Sequence, residues 1–433
     1  MPYSGRMDMT GSLVSRRMLD VASERMHEEP VILLEGPRAV GKSTVLRQIA
    51  QRTGGTIVDL DDLPTRAVAL QDPTLCIDVP GPVLVDEYKH APDVLSAIKA
   101  RLNEVGSKPG QFVLAGSSRH DSLPRTAEAL TGRLHRMQVL PLAQSELNRS
   151  PSLLEQLFRD GPEVVTPILS TTTRPEYVRR IVTGGFPDAL ARPSTVSRHR
   201  WFDDYVQATL AKDVADLKKL RQAQALPGVL RALAGQTGQV LNMSHVAQSL
   251  QLSTDLVAEY TRLLEAVFLI RLLPAWSKTL TPRSAANPKI HVLDSGVAAR
   301  LQRLSEEKLQ MADPTALTEF GHLAETFVVG EILTQASWMD GISYVGHWRT
   351  YDGDEVDLIV ERDDGAVIGI EIKAGTHADK TAFRSLAKLR DKIGPAFHLG
   401  VAFHMGQRAH HYDDRLIALP IDRLWASPDS VTT

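Results

Sequence analysis

Short apolar runs that close on small or acidic residues alternate with helical-period stretches through the first third of the chain. Residues 31–34 form one such run, and Val45, Leu46, Ile49 and Ala50 follow at the spacing of one helix face. Residues 56–61 read as a second strand. Residues 83–85, ahead of Asp86 and Glu87, read as a third, followed by a helical pattern over 92–105. Residues 111–118 and 137–142 add two more strands. This alternation predicts an α/β domain with a parallel sheet.

The pattern then changes. Residues 150–174 mix Pro, Ser and Thr and suit a lid or linker, and 198–220 read as a long helix. Its pairs Asp203/Asp204, Lys212/Asp213 and Lys218/Lys219 read as a solvated face. Over 239–276, a short helix, a turn at 251–253, a second helix and a strand at 268–273 suggest a winged helix-turn-helix. The second helix carries Asp255, Glu259 and Glu265 against Arg262. A helix entering the major groove should be basic, so packing or protein contact is the preferred role. Residues 289–293 read as a strand, after which Asp294 is either functional or a helix N-cap.

The last third holds an amphipathic helix at 321–333 that carries Glu325. A strand at 355–361, a turn at 363–365 and a strand at 366–373 follow as a hairpin. Alternation puts Glu371 and Lys373 on one face, with Ile370 and Ile372 in the core.

Composition narrows the picture modestly. The 433 residues exceed one typical core, so two to four domains are expected. A net charge of −3 leaves any DNA or RNA binding to a local patch. The single cysteine, Cys76, excludes an internal disulfide framework and reads as a packing residue in a cytoplasmic protein. No run approaches the ~18–20 apolar residues of a membrane span. Residues 1–12 look disordered. Arg16 and Arg17 fall on the next helix, within reach of a nucleotide or a neighbouring subunit, with a solvated face preferred.

Candidate chemistry concentrates at two places. Gly36, Pro37, Arg38, Ala39, Val40, Gly41, Lys42 and Ser43, with Thr44 behind them, fit the G-x-x-x-x-G-K-[ST] phosphate loop between a strand and a helix. The glycines let backbone N–H groups approach a polyphosphate, Lys42 adds a compact positive charge, and the Ser43 hydroxyl suits Mg²⁺. ATP is the expected ligand. Asp86 would hold the Mg²⁺ and Glu87 would polarise the attacking water. Arg133 reads either as an arginine finger offered to a neighbouring subunit or as a surface charge. At the far end, Asp357 and Glu371 can share a divalent ion, Mg²⁺ or Mn²⁺, with Glu325 as a further acid and the Ile372 carbonyl completing the shell. Lys373 would orient water or steady charge on phosphorus, with Arg349 as another phosphate contact. The alternative there is a water-facing hairpin whose Glu and Lys merely pair.

The sequences GPRAVGKS, VLVDE, FVLAGSS and LTGR followed by LPL resemble prokaryotic AAA-class ATPases of the subgroup with an uncharacterised C-terminal region. The resemblance continues in Gly184-Gly185-Phe186-Pro187 and from Tyr205 to Val214, and spans residues 13–415. It implies an N-terminal ATPase whose fourth strand carries a γ-phosphate sensor at Ser117 or Ser118, and a C-terminal nuclease-like fold. Asp357 with Glu371-x-Lys373 resembles the D…E-x-K core of PD-(D/E)XK nucleases.

The expected architecture is therefore three-part α/β. A parallel-sheet P-loop domain (13–148) and a helical lid (149–235) precede a winged-helix-like module (236–285). A restriction-endonuclease-like domain (286–415) and a tail (416–433) complete it. The expected function is ATP turnover that controls a nuclease-like site acting on nucleic acid, in a homo-oligomer. The competing expectation is a nucleotide-regulated scaffold that binds a protein partner through the winged-helix-like region and cuts nothing.

Overall fold

The computed structural model describes residues 14–119, 130–214, 217, 222–277, 287–311 and 314–426. The expectations for residues 1–12, for Lys218 and Lys219, and for the tail beyond 426 lie outside that range. Among the described residues, β1 (Val31–Glu35), β2 (Thr56–Asp59), β3 (Val83–Asp86), β4 (Phe112–Gly116) and β5 (Leu134–Gln138) form one parallel sheet in the order β2-β3-β4-β1-β5. Alternation divides the central strand between two cores: Ile32 and Leu34 pack with Val45, Leu46 and Ile49, whereas Val31 and Leu33 pack with Val94, Ile98 and Leu102. Helices Lys42–Thr53 and Val94–Val105 thus cover opposite faces. Because β4 lies between β1 and β3, the residues leaving these three strands at their C-terminal ends converge.

Helix Thr195–Ala208 runs directly into a π-helical turn, Thr209–Val214. Beyond helix Leu226–Ala234 come β6 (Gln239–Val240), helices Met243–Leu250 and Thr254–Ala266, β7 (Ile270–Leu273) and β8 (Lys289–Val292). The strands make an antiparallel sheet ordered β6-β8-β7. Asn242 and Ser253 cap the two helices through their side chains. Helix Thr254–Ala266 buries Val257, Tyr260 and Leu264, and its C-terminal end docks on the parallel-sheet domain. There the Arg119 N–H donates to the Ala266 carbonyl at 2.9 Å, and the Arg119 guanidinium lies 3.3 Å from Glu265. One of the acids that argued against groove binding is thus used inside the chain.

The C-terminal sheet is mixed and separate. It joins β9 (Ile342–Arg349), β10 (Glu355–Arg362), β11 (Val367–Ile372), β12 (Phe397–His404), β13 (His410–Asp413) and β14 (Leu416–Pro420) in the order β13-β14-β12-β11-β10-β9. β11 and β12 are parallel, so the chain must cross over between them, and helix Lys380–Ile393 does so while burying Phe383, Leu386 and Leu389. The expected tail from 416 is corrected here. β14 sits inside the sheet between β13 and β12, and Trp425 packs edge-on to Tyr177 and Phe327. Five buried apolar residues in a row at 416–420 are a central-strand pattern.

Helix Pro314–Ala336 ties this sheet to the N-terminal domain. The Gln144 N–H donates to both oxygens of the buried Glu331 carboxyl, at 3.0 and 2.8 Å, and the Leu154 N–H donates to Gln335 at 2.9 Å. One apolar core accordingly runs continuously from Met18 to Trp425. No helix among the described residues is long and apolar enough to cross a membrane.

Candidate nucleotide site and C-terminal acidic cluster

The phosphate loop leaves β1 and enters helix Lys42–Thr53 through a turn that only small residues permit. Gly41 has φ 93°, and a Cβ on Gly36 would stand 2.1 Å from the Val139 carbonyl oxygen. From the helix before β1, Arg16 braces the loop. It donates to the Val40 carbonyl at 2.9 Å and the Leu140 carbonyl at 2.7 Å, with its guanidinium 3.0 Å from Glu146. The solvated-face reading of Arg16 is corrected: its side chain is buried. Lys42 is 5% exposed and donates to the carbonyls of Gly36 and Pro37 at 2.8 and 2.7 Å. Burial pushes its ammonium down to about 8, with Glu87 and Asp86 offsetting part of that effect. A desolvated ammonium inside a glycine turn suits a polyphosphate, whose charge would replace the lost hydration.

Asp86 closes β3 beside the loop and accepts a hydrogen bond from Ser43. Burial, with the Glu87 charge adding to it, pushes its carboxyl up to about 6 against the Ser43 bond. Ser43 and Asp86 thus meet as a hydroxyl–carboxylate pair, the oxygen donor set that Mg²⁺ takes, and they would hold that ion beside the loop. Glu87 follows in a left-handed conformation, φ 49° and ψ 48°, which costs a non-glycine residue about 1–3 kcal/mol. Ser117, leaving β4, donates to the Glu87 carboxylate at 3.3 Å. The adjacent-strand order is what brings this pair together.

Two further groups complete the constellation. Lys89 donates to the Ser117 hydroxyl and lies 3.8 Å from Glu87. Asp213, from the turn Thr209–Val214, is 2% exposed and accepts two 2.7 Å bonds from Arg38 Nε. It also lies 3.5 Å from Lys89 Nζ. The solvated-face reading of Asp213 is thereby corrected, because this carboxylate is held between two cations at the edge of the phosphate loop. Arg133 is elsewhere: it precedes β5, at the end of the sheet opposite the loop, and donates to Asn103 at 2.7 Å.

At the C-terminal site the antiparallel register Leu358↔Ile370 sets Asp357 opposite Glu371. Lys373 donates to Glu371 Oε1 at 2.7 Å. Burial first, then the Asp357 charge, pushes the Glu371 carboxyl up to about 8. The acids do not converge on a shared open position, however. Lys289, from β8 and 1% exposed, places its ammonium 2.8 Å from Glu325, 2.6 Å from Glu355 and 2.9 Å from Asp357. The second oxygen of Asp357 accepts the Ile372 N–H at 2.9 Å. Burial alone would push the Lys289 ammonium down, but Asp357, Glu325 and Glu355 outweigh it and hold it well above the usual lysine range. Among the described residues no group of three or more His, Cys, Asp or Glu is arranged to hold a metal ion. A divalent ion shared by Asp357, Glu371 and Glu325 therefore does not fit this arrangement.

Comparison with known proteins bears on the first of these regions. Residues 28–148 match a family model described as an AAA domain. This part of the chain is similar to AAA domains. Residues 174–308 and 320–424 match two models described as domains of unknown function, DUF8612 and DUF4143. Uncharacterized proteins Rv2008c of Mycobacterium tuberculosis and Mb2031c of Mycobacterium bovis are each 25% identical over 416 residues, covering 95% of this chain and 85% of theirs. Among solved structures, the Walker-type ATPase PABY2304 of Pyrococcus abyssi is 14% identical. It covers 69% of this chain and 98% of its own, with a TM-score of 0.43. AMPPCP-bound DnaA of Aquifex aeolicus is 13% identical with a TM-score of 0.28, covering 57% of this chain and 86% of its own.

Around the ATPase domain, sequence reasoning missed Lys89 as a site residue, and it missed Lys289 and Glu355 at the far cluster. Lys89 carried a usable signal, lying three residues past Asp86, just beyond a strand end marked by two acids. Lys289 carried none, since a lone lysine opening a strand usually faces water.

Proposed function

We propose that this protein is an ATP-hydrolysing switch whose nucleotide state is felt by the helices beyond the ATPase domain. The observation that carries this reading is Asp213. Its carboxylate, borne by the turn after helix Thr195–Ala208, is bound by Arg38 of the phosphate loop and faces Lys89. A bound triphosphate would compete for the same cations. Lys42 and the loop N–H groups bind the phosphates, and Arg38 and Lys89 add charge beside them. Glu87, held by Ser117, accepts a proton from the attacking water. Mg²⁺, when bound by Ser43 and Asp86, would neutralise phosphate charge. The continuous core and the Gln144–Glu331 contact give the ATPase domain a packed path to the C-terminal sheet.

The output favoured by the C-terminal geometry is a scaffold with a protein partner, because Lys289 fills the cluster where a nuclease would need a cation. The nuclease reading keeps one supporting observation, the pairing of Asp357 with Glu371 and of Glu371 with Lys373. Hydrogen exchange over residues 195–214, with and without a non-hydrolysable ATP analogue, tests the switch; equal protection in both states removes it. Incubation with DNA and RNA plus ATP and Mg²⁺ or Mn²⁺ separates the two outputs. Cleavage lost in Asp357→Ala selects the nuclease. An absence of salt-sensitive nucleic-acid binding selects the scaffold. A homo-oligomeric form with Arg133 acting in trans predicts turnover per chain that rises with protein concentration and does so less in Arg133→Ala.

A further inference from the structure

A cavity of about 480 Å³ lies where the three modules meet. β5, the edge strand of the parallel sheet, forms one wall through Met137 and Gln138, and Arg271 of β7 forms a second. The third holds Leu333 of helix Pro314–Ala336, Trp338 just past that helix, and Ile342 of β9. No residue of the phosphate loop, 36–44, is among the described walls. Two guanidinium groups on these walls, Arg119 and Arg271, are incompletely neutralised. Arg271 donates to the neutral Gln138 side chain at 3.1 Å. Burial, then the Arg119 charge, pushes its guanidinium down to about 10, with Glu265 opposing them. That one carboxylate serves both cations: it stands 3.3 Å from Arg119 and also accepts the Leu272 N–H. Arg25 and Asp340, also on the walls, pair with each other, which leaves Glu35 as the other acid and Arg136 as the other guanidinium there. Two N–H groups on the walls have no hydrogen-bond partner among the described residues: Trp338 Nε1, on a side chain 8% exposed, and Arg119 Nε. Both are donors. Buried donors of this kind cost free energy until an acceptor meets them.

We propose that this cavity binds an organic phosphate monoester, its oxyanion on Arg119 and Arg271 and its apolar body against Leu333, Trp338 and Ile342. Two guanidinium groups favour a dianion over a singly charged carboxylate, and the planar fork of each matches phosphate oxygens in pairs. The volume lies within the roughly 300–1,000 Å³ of small-molecule sites, and the apolar wall suits a ligand with a carbon body. Because β5, β7 and β9 each supply a wall, the bound molecule ties the three modules together. The proposal depends neither on ATP turnover nor on the switch at Asp213.

The test uses full-length protein carrying Lys42→Ala, so that the phosphate loop does not take the probe, and isotopically labelled at the tryptophan indole nitrogens. Phenyl phosphate is the probe; inorganic phosphate and phenol report on the charge and the ring alone. Millimolar phenyl phosphate is expected to shift the indole N–H resonance that Trp338→Phe removes, and to bind more tightly than either control. Arg271→Gln is expected to weaken that binding by about tenfold, through loss of a charge-assisted contact. Arg119→Gln serves as a second variant with the same expectation. A Trp338 resonance that does not move overturns the proposal. So does an affinity that a folded Arg271→Gln or Arg119→Gln chain leaves unchanged, or an equal affinity for inorganic phosphate or phenol. If neither variant folds, the chain with both arginines decides, since a shifted Trp338 resonance there supports the proposal and an unshifted one contradicts it.

Discussion

Arg38 and Asp213 stand 175 positions apart and are joined by two hydrogen bonds of 2.7 Å to one guanidinium nitrogen. The carboxylate end is buried, so the pair is poorly screened by salt. Asp213→Ala should therefore act in opposite directions on stability and on ligand binding. Leaving Arg38 unpaired should destabilise the nucleotide-free protein by about 3–5 kcal/mol. Freeing Arg38 and Lys89 should tighten ATP binding by about tenfold, or ~1.4 kcal/mol. Calorimetric titration with a non-hydrolysable analogue checks this, and unchanged affinity would show that Asp213 does not compete with phosphate.

The roles proposed for Lys42 and Glu87 separate binding from chemistry. Lys42→Ala should abolish detectable ATP binding, because it removes the buried ammonium that the loop's own carbonyls hold in place. Glu87→Gln should bind ATP normally and slow turnover by about 10²–10⁴-fold, the usual contribution of a general base. A Glu87→Gln chain that turns over at the wild-type rate assigns the proton acceptor elsewhere.

Acid should weaken the metal-dependent part of ATP binding. Burial raises the Asp86 carboxyl to about 6, so between pH 7 and pH 5 a proton increasingly competes with Mg²⁺ for it. Affinity for Mg-ATP is expected to fall through this window, and Asp86→Asn should remove that component of the profile while leaving the nucleotide's own titration. If the asparagine chain keeps the full profile, Asp86 is not the group being read.

Glu331 gives a stability test at the contact between the ATPase domain and the C-terminal helix. Its carboxyl is raised to about 8, mainly by burial, from an ordinary value of 4.5. Between those limits the folded state holds a proton that the unfolded state releases, so its contribution to stability declines as pH rises from 4.5 to 8. Glu331→Gln keeps an acceptor for the Gln144 N–H and carries no charge to bury. Its thermal midpoint should exceed that of wild type at pH 8 and converge with it toward pH 4.5.

The residues legible in advance were those whose roles depend on their near neighbours in the chain. A phosphate loop is one contiguous turn between a strand and a helix, so Gly36, Gly41, Lys42 and Ser43 announce it by spacing alone. Strand alternation likewise separated Ile370 and Ile372 from Glu371 and Lys373, because side chains in a strand face opposite sides at every step. Even the Asp86–Glu87 pair needs only the end of one apolar strand.

Tertiary packing decided the charge partners. The order β3-β4-β1 brings Ser117 to Glu87, and only the folded path of the chain brings Asp213 to Arg38 or Lys289 to Asp357. Before folding, Asp213 and Lys289 are hydrophilic residues in ordinary surroundings, and pattern assigns such residues to water. Ion pairing acts through space, and its sign and strength depend on which charges burial forces together. Linear spacing does not encode that, so the sequence determined the candidate nucleotide site, and the fold determined what that site and the C-terminal acids are tied to.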